Sequence, residues 1–215
     1  MAAGAGSGSE SGGRKLLSTQ VREQVLGWIA GGILVPGARL IETNLARELG
    51  TSQAPVREAL RDLAAIGVVE TRARHGSCIR QPDSQELTDA ILVRAELERL
   101  AGRLAAPRIT QTHLRRLEQL VVEMTAAAVD GDIDRYAGRH TEFHRTIVSA
   151  AGNRYLERLW EMLDSFLVSY IPPPRAEAEL EWQRQRHRVA LKAFQDHDLE
   201  QAGTIARSQV LALTA

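Results

Sequence analysis

The sequence predicts a mainly α protein: an N-terminal winged helix-turn-helix followed by an antiparallel all-α helix bundle. Three observations carry this expectation. Short amphipathic segments separated by a glycine-containing turn precede two strand-like runs joined at "RHG". Beyond residue 84 apolar residues recur at helical spacing, with no strand signal and no repeat of fixed length. Between the regions lies "QPDS", a break in both patterns. The expected organisation is a flexible tail over 1–15, a winged helix-turn-helix over 16–81, and a helical effector-binding and dimerisation domain over 82–215.

The elements follow in order. "MAAGAGSGSESGG" has neither a basic start nor an apolar stretch and reads as a Gly/Ser/Ala tail rather than a signal peptide. Residues 16–31 form a helix with Val21, Val25, Trp28 and Ile29 on one stripe, stopped at Gly31-Gly32. "VPGARL" reads as a turn. "IETNLARELG" gives a second helix with Leu45, Ala46 and Leu49 inward. "TSQAPVREALRDLAAIG" gives a third, with Ser52 as N-cap, Pro55 in the first turn and Val56, Leu60, Leu63 and Ala64 inward. "VVETRARHGSCIR" reads as two short strands. Helices are then expected near 84–106, 110–129, 132–151, 153–171, 177–196 and 198–213, broken at Pro107, "DGD", "GN", "PPP" and "DHD".

Composition narrows the class. The chain has 215 residues, 44% hydrophobic and 25% charged, ordinary for a globular protein. No apolar run approaches the roughly 20 residues that span a membrane. A single cysteine, Cys78, excludes an intrachain disulfide and suits a reducing cytoplasm. Net charge is zero, yet residues 14–80 hold ten Lys/Arg against six Asp/Glu, while residues 81–215 hold 17 against 20. The basic part is therefore the part expected to meet a polyanion.

The third helix presents Gln53, Ala54, Arg57 and Arg61 away from its apolar stripe. Its N-terminus, with Ser52, has free backbone N–H groups that favour phosphate. Gln pairs with adenine, and Arg with guanine or phosphate. The wing offers Arg72, Arg74 and His75 at a glycine turn formed by Gly76. The same pattern fits a winged helix that contacts protein instead, with Arg57 and Arg61 paired to Glu58 and Asp62.

The other chemistry-bearing stretch is "RHTEFHRTI" (139–147), which puts His140 and His144 one helical turn apart. Zinc proteases place a glutamate directly after the first histidine. Here Thr141 stands there, and Glu142 lies about 200° round the helix from His140, away from any ion the pair could share. The residues alone leave a metal site or two hydrogen-bonded histidines of an amphipathic helix. A metal-dependent hydrolase with a fused winged helix would need a base, for which only Glu98 is available. Glu98 fits helix packing better, so no enzyme is expected. His113 and His197 are expected at the surface.

"LIETNLARELGTSQAPVREALRDLAAIGVVE" resembles the signature of the GntR family of bacterial transcriptional regulators. The matching positions are Leu45-Ala46, Leu49-Gly50, Ser52, the run Pro55 to Leu60, Leu63, Gly67 and Val69. Gln53 departs from it, standing where the family usually carries a guanine-reading Arg, which implies an altered base preference. The later chain is similar to the helical FCD domain of the FadR-like branch. "VRAELERLAGRLAAPRIT" carries Arg94, Leu97, Glu98 and Leu104-Ala105-Ala106; "EFHRTIVSAAGNRYLERL" carries Phe143, His144, Ile147, Gly152, Asn153 and Leu156; "HRVALKAFQDHDLEQA" carries His187, Ala193, Asp198 and Ala202.

The resemblance implies a ligand-responsive regulator, repressor or activator, that binds double-stranded operator DNA as a homodimer, with a small carboxylate effector and no membrane partner. It further implies one divalent metal, Zn or Ni, at His140, His144 and His187. His140 stands where the family has Asp, and Gln209 where it has a fourth ligand, His. Arg94, Gln209 and Asn153 are assigned to the effector, with Arg94 clamping its carboxylate. A metal-free pocket that binds the effector directly is the alternative.

Overall fold

The computed structural model describes residues 7–72, 76–171 and 177–214, with side chains over 16–71, 76–171 and 181–213. The elements run α1 (Ser7–Ala30), β1 (Arg39–Leu40), α2 (Glu42–Glu48), α3 (Gln53–Ala65), β2 (Val69–Arg72), β3 (Gly76–Ile79), α4 (Ser84–Ala105), α5 (Gln111–Asp130), α6 (Ile133–Ala150), α7 (Arg154–Tyr170), α8 (Glu177–Gln195) and α9 (Leu199–Leu211), closed by a 3₁₀ turn at Ala212–Thr214. They divide into two compact units: Met1–Pro82 with Val168–Tyr170, and Asp83–Leu167 with Ile171–Ala215.

In the first unit α1 and α2 pack on α3, and α3 packs on β2. Val21, Val25 and Ile29 of α1, Leu45 and Ala46 of α2, and Val56, Ala59, Leu60 and Leu63 of α3 form the core. Three expectations change here. α1 opens at Ser7, inside the segment expected as a flexible tail. Extending a helix from a packed segment costs far less than starting one, so the ladder runs on into residues whose sequence holds no apolar stripe. Ala64 is exposed and Ala59 takes the inward place, because 56, 59, 60 and 63 keep the i, i+3, i+4 spacing of one face. "GARL", expected within a turn, holds strand β1. It pairs antiparallel with β3, Arg39 opposite Cys78 and Leu40 opposite Ser77, giving the sheet order β1-β3-β2. Two residues without β-branching carry no period-2 signal, which is why the strand is invisible in the sequence. Gly76 opens β3 at φ 76°, a conformation that favours glycine.

The second unit contains six of the described α-helices, within about three residues of their expected bounds at either end. Local chemistry sets the breaks. Asp83, Asp132, Asn153 and Asp198 cap the N-termini of α4, α6, α7 and α9 by accepting backbone N–H groups. Gly131 ends α5 in the left-handed conformation. The "PPP" break lies outside the described residues. α4 packs on α9 and α6, α5 on α6 and α8, and α8 on α9. At the α4–α9 contact a Cβ on Gly102 would stand 2.7 Å from the Ala202 carbonyl oxygen, so the backbones approach closely only because that side chain is missing. Leu117, Leu120, Met124, Phe143, Ile147, Trp160 and Phe194 fill the core.

Two histidines expected simply at the surface have structural partners. His113 closes a capping box with Thr110 at the start of α5. His197, at φ 53°, makes a hydrogen bond of 2.7 Å from Nδ1 to the Ala106 carbonyl. Both bonds satisfy backbone groups at helix ends.

Candidate functional site

The exposed face of α3 is the first candidate. Ser52, Gln53, Ala54, Arg57 and Arg61 are all exposed, while Pro55, Val56, Ala59, Leu60 and Leu63 are buried beneath. Ser52 holds the extended backbone of an N-cap but makes no side-chain capping bond. Arg57 does not pair with Glu58. It reaches α2, where Glu42 accepts from its Nε at 3.0 Å and its Nη2 at 2.9 Å. The hydrogen bond and the charge of Glu42 raise the Arg57 pKa further above its ordinary value. Arg72 pairs with Gly76 across β2 and β3. Its side chain, and Arg74 and His75 entirely, lie outside the described residues.

The second candidate lies within the helical unit. α6 supplies His140 and His144, and α8 supplies His187, with one ligand nitrogen from each within 4.8 Å of the others. The ring centroids are 4.7 Å apart for His140 and His144 and 5.1 Å for His140 and His187. His144 and His187 are each 1% exposed, whereas His140 is partly exposed. Two of the rings have a fixed partner on Nδ1. His144 Nδ1 stands 3.0 Å from Glu98 Oε2, and His187 Nδ1 stands 2.6 Å from the Gln183 carbonyl. Neither acceptor has a proton to give, so each Nδ1 carries a hydrogen, and on a neutral ring that leaves Nε2 with its lone pair. His187 Nε2 is buried and has no hydrogen-bond partner. Gln183 is held in turn by Tyr136, whose hydroxyl donates to Oε1 at 2.8 Å.

Burial first, and beyond it the neighbouring His144, His187 and Arg94, hold His140 well below the usual imidazole pKa. Burial first, and His144 second, push His187 down to about 3. Both rings are therefore neutral at physiological pH, the form that donates a lone pair to a cation.

Glu98 is the residue the sequence undervalued. It is 0% exposed, and besides His144 it accepts from Trp160 Nε1 at 2.6 Å. Burial alone would raise its carboxyl, but the charge and hydrogen bond of His144, the Arg94 guanidinium and the Trp160 N–H hold it at about 2. A carboxylate so fully engaged is a poor general base. The available signal was an acidic residue at a helical position whose neighbours Ile91, Ala95, Ala101 and Ala105 are buried.

The effector assignments fare differently from the three histidines. Arg94 contacts Asp164 at 2.9 Å and Glu98 at 3.6 Å and lies over Trp160. It is thus the cation of a buried network, already answered by two carboxylates, rather than a free clamp. Asn153 accepts from the Tyr155 and Leu156 N–H groups as the cap of α7. Gln209 on α9 is different: both its carboxamide oxygen and nitrogen are buried without a hydrogen-bond partner. Glu142 turns to Arg116 and Arg139, consistent with the register that removes a protease motif.

A winged helix joined to an all-α unit with a buried polar site is the architecture of a DNA-binding regulator with a sensor module. The comparisons make this specific. Residues 17–79 match the model described as bacterial regulatory proteins, gntR family, and residues 89–211 match the FCD domain. A probable D-xylose utilization operon transcriptional repressor of Paenarthrobacter nicotinovorans is 36% identical over 88% of this chain and 83% of that protein. The HTH-type transcriptional regulator McbR of Escherichia coli K12 is 29% identical over 86% of this chain and 85% of that protein. The solved structure of E. coli McbR/YncC superposes with a TM-score of 0.76 at 27% identity, covering 92% of this chain and 96% of that one. The chain belongs to the gntR family of bacterial regulatory proteins, with a C-terminal FCD domain. It is a transcriptional regulator and not an enzyme. Among the described residues no helix is long and apolar enough to cross a membrane.

Proposed function

We propose that the protein is a cytoplasmic repressor that binds a pseudo-palindromic operator as a homodimer and is controlled by a small carboxylate effector in the helical unit. The observation that carries the effector reading is the convergence of three imidazoles, two of them held through Nδ1, on one largely buried spot. The role named for the xylose-operon relative favours repression over activation. α3 is the element assigned to the major groove: Gln53 and Arg57 read bases, and Ser52, Ala54 and Arg61 contact the backbone. Arg72, Arg74, His75 and Gly76 belong to the wing, which reaches the adjacent groove.

The donor set fits a borderline divalent metal. Imidazole suits Zn²⁺ and Ni²⁺, and three neutral ligands leave open positions on either ion. His140, His144 and His187 would hold the ion, and the ion would supply a Lewis-acidic point for the effector carboxylate. His187 Nε2, buried and unpartnered, is the atom such an ion satisfies. The Gln209 carboxamide, with one donor and one acceptor function unmet, is the group for a polar part of the effector. To change DNA occupancy the effector must bind one conformational state better than another.

A gel shift with the promoter region beside the protein's own gene, at low salt where phosphate contacts are strongest, tests the DNA reading. A retarded band released by a small organic acid supports it, and no shift at any protein concentration overturns it. Elemental analysis of protein purified without a histidine tag tests the metal. About one Zn or Ni per chain is expected; a content far below that leaves the imidazoles and Gln209 to bind the effector directly.

A further inference from the structure

Glu98 is placed to do more than fill the core. Its two oxygens are divided between two elements: Oε2 takes the His144 Nδ1–H of α6 and Oε1 takes the Trp160 Nε1–H of α7. Its nearest cation, Arg94, is closer to Asp164, at 2.9 Å against 3.6 Å. Arg94 is thus shared unequally between two buried carboxylates, and Glu98, with the longer contact, has its carboxylate directly against the His144 ring. An isolated buried charge is costly. A cation among the histidines is the group that would offset it.

We infer that Glu98 is a positioning residue of the histidine site: it locks His144 in the tautomer with Nδ1 protonated and Nε2 bare, and its charge strengthens cation binding there. The inference rests on the metal reading above for its effect on affinity, but the tautomer stands independently of it. A carboxylate behind an imidazole fixes the ring and raises the basicity of its other nitrogen, and losing such a partner typically costs ten- to a hundredfold in metal affinity. Trp160 supplies the control, since it bonds the other oxygen of the same carboxylate, and its loss removes neither the carboxylate nor the bond to His144.

Zn²⁺ alone, competed against a chelating dye, is titrated into the full chain purified without a tag. Glu98→Gln keeps the shape and removes the charge, and is expected to weaken Zn²⁺ binding about ten- to a hundredfold. Trp160→Phe removes the neighbouring bond and is expected to leave it within about threefold. Equal losses in both variants, or none in Glu98→Gln, overturn the inference. Failure of wild-type protein to bind Zn²⁺ counts against the metal reading instead. The tautomer is then read from imidazole ¹H–¹⁵N correlations of the wild-type protein, which also covers the case that Glu98→Gln fails to fold. A protonated Nδ1 and bare Nε2 on His144 support the inference, and a protonated Nε2 overturns it.

Discussion

The two units keep their functional side chains in opposite places. In the winged unit Gln53, Arg57 and Arg61 lie on the exposed face of a helix whose other face is wholly apolar. In the helical unit Arg94, Glu98, His144 and His187 are between 0% and 5% exposed and share the interior with the core. A surface site can be altered without touching the fold. An internal polar site is also a structural part, because every removed partner leaves another buried group unsatisfied. Mutations should therefore separate binding from stability in the first unit and join them in the second.

The largest effect is expected from Arg94→Ala. It leaves Asp164 and Glu98 buried without their shared cation, a change that typically costs about 3–5 kcal/mol. Thermal unfolding should show a large fall in midpoint, and any Zn²⁺ binding should suffer with it. A variant with wild-type stability would mean that the network is not closed as described. Arg57→Ala is the counterpart in the other unit. Its ion pair with Glu42 is exposed, so the melting midpoint should stay close to that of the wild type. Operator affinity should fall by about 1–3 kcal/mol. An unchanged operator affinity would put a different face in the groove.

The same contrast explains what was legible in the sequence. Apolar spacing predicts each helix of the second unit to within a few residues, because caps such as Asp83, Asp132 and Asp198 and the glycine at 131 are local signals. The α3 face is legible for the same reason: its inward and outward residues are set by one period. His140 and His144 are readable as a pair, one turn apart on α6. His187 is assigned through the family resemblance, and the structure brings its ring nitrogen to theirs. Glu98 beside His144, and Asp164 beside Arg94, are not readable, because each joins residues 46 and 70 positions apart through tertiary packing. β1 is missed because two residues pair with a strand that begins 36 positions later. Local chemistry is written locally, whereas a network between helices is written only in the fold.

Acid should loosen the helical unit by a route the exposed α3 face lacks. His187 titrates at about 3 in the folded chain against an ordinary value of 6.5, and His140 is also held well below that value. Between those limits the unfolded chain binds protons that the folded chain refuses. Stability therefore rises with pH: it is fully present above about 6.5 and is lost progressively as pH falls towards 3. Glu98, held at about 2 against an ordinary 4.5, adds a loss of the same sign between those two values. Melting midpoints measured from pH 7.5 downwards should fall from the first acid step. Replacing His187 with Gln should flatten the upper part of that curve, and an equally steep curve in the variant would remove the histidine from the account.

The smallest expected effects come from two helix starts, one in each unit, and they should be mirror images. Asn153 and Ser52 both occupy N-cap positions with extended backbone. The Asn153 side chain accepts two backbone N–H groups, and the Ser52 side chain accepts none at its cap. An N-cap side chain is typically worth about 1 kcal/mol, which for a chain of this size shifts the melting midpoint by about 2–4 °C. Asn153→Ala should show that shift and leave DNA affinity alone. Ser52→Ala should leave the midpoint within about 1 °C and weaken operator binding about two- to fivefold, as a lost phosphate contact does. A destabilised Ser52→Ala with unchanged DNA affinity would reverse the assignment, making Ser52 a cap and Gln53 the first residue of α3 to meet DNA.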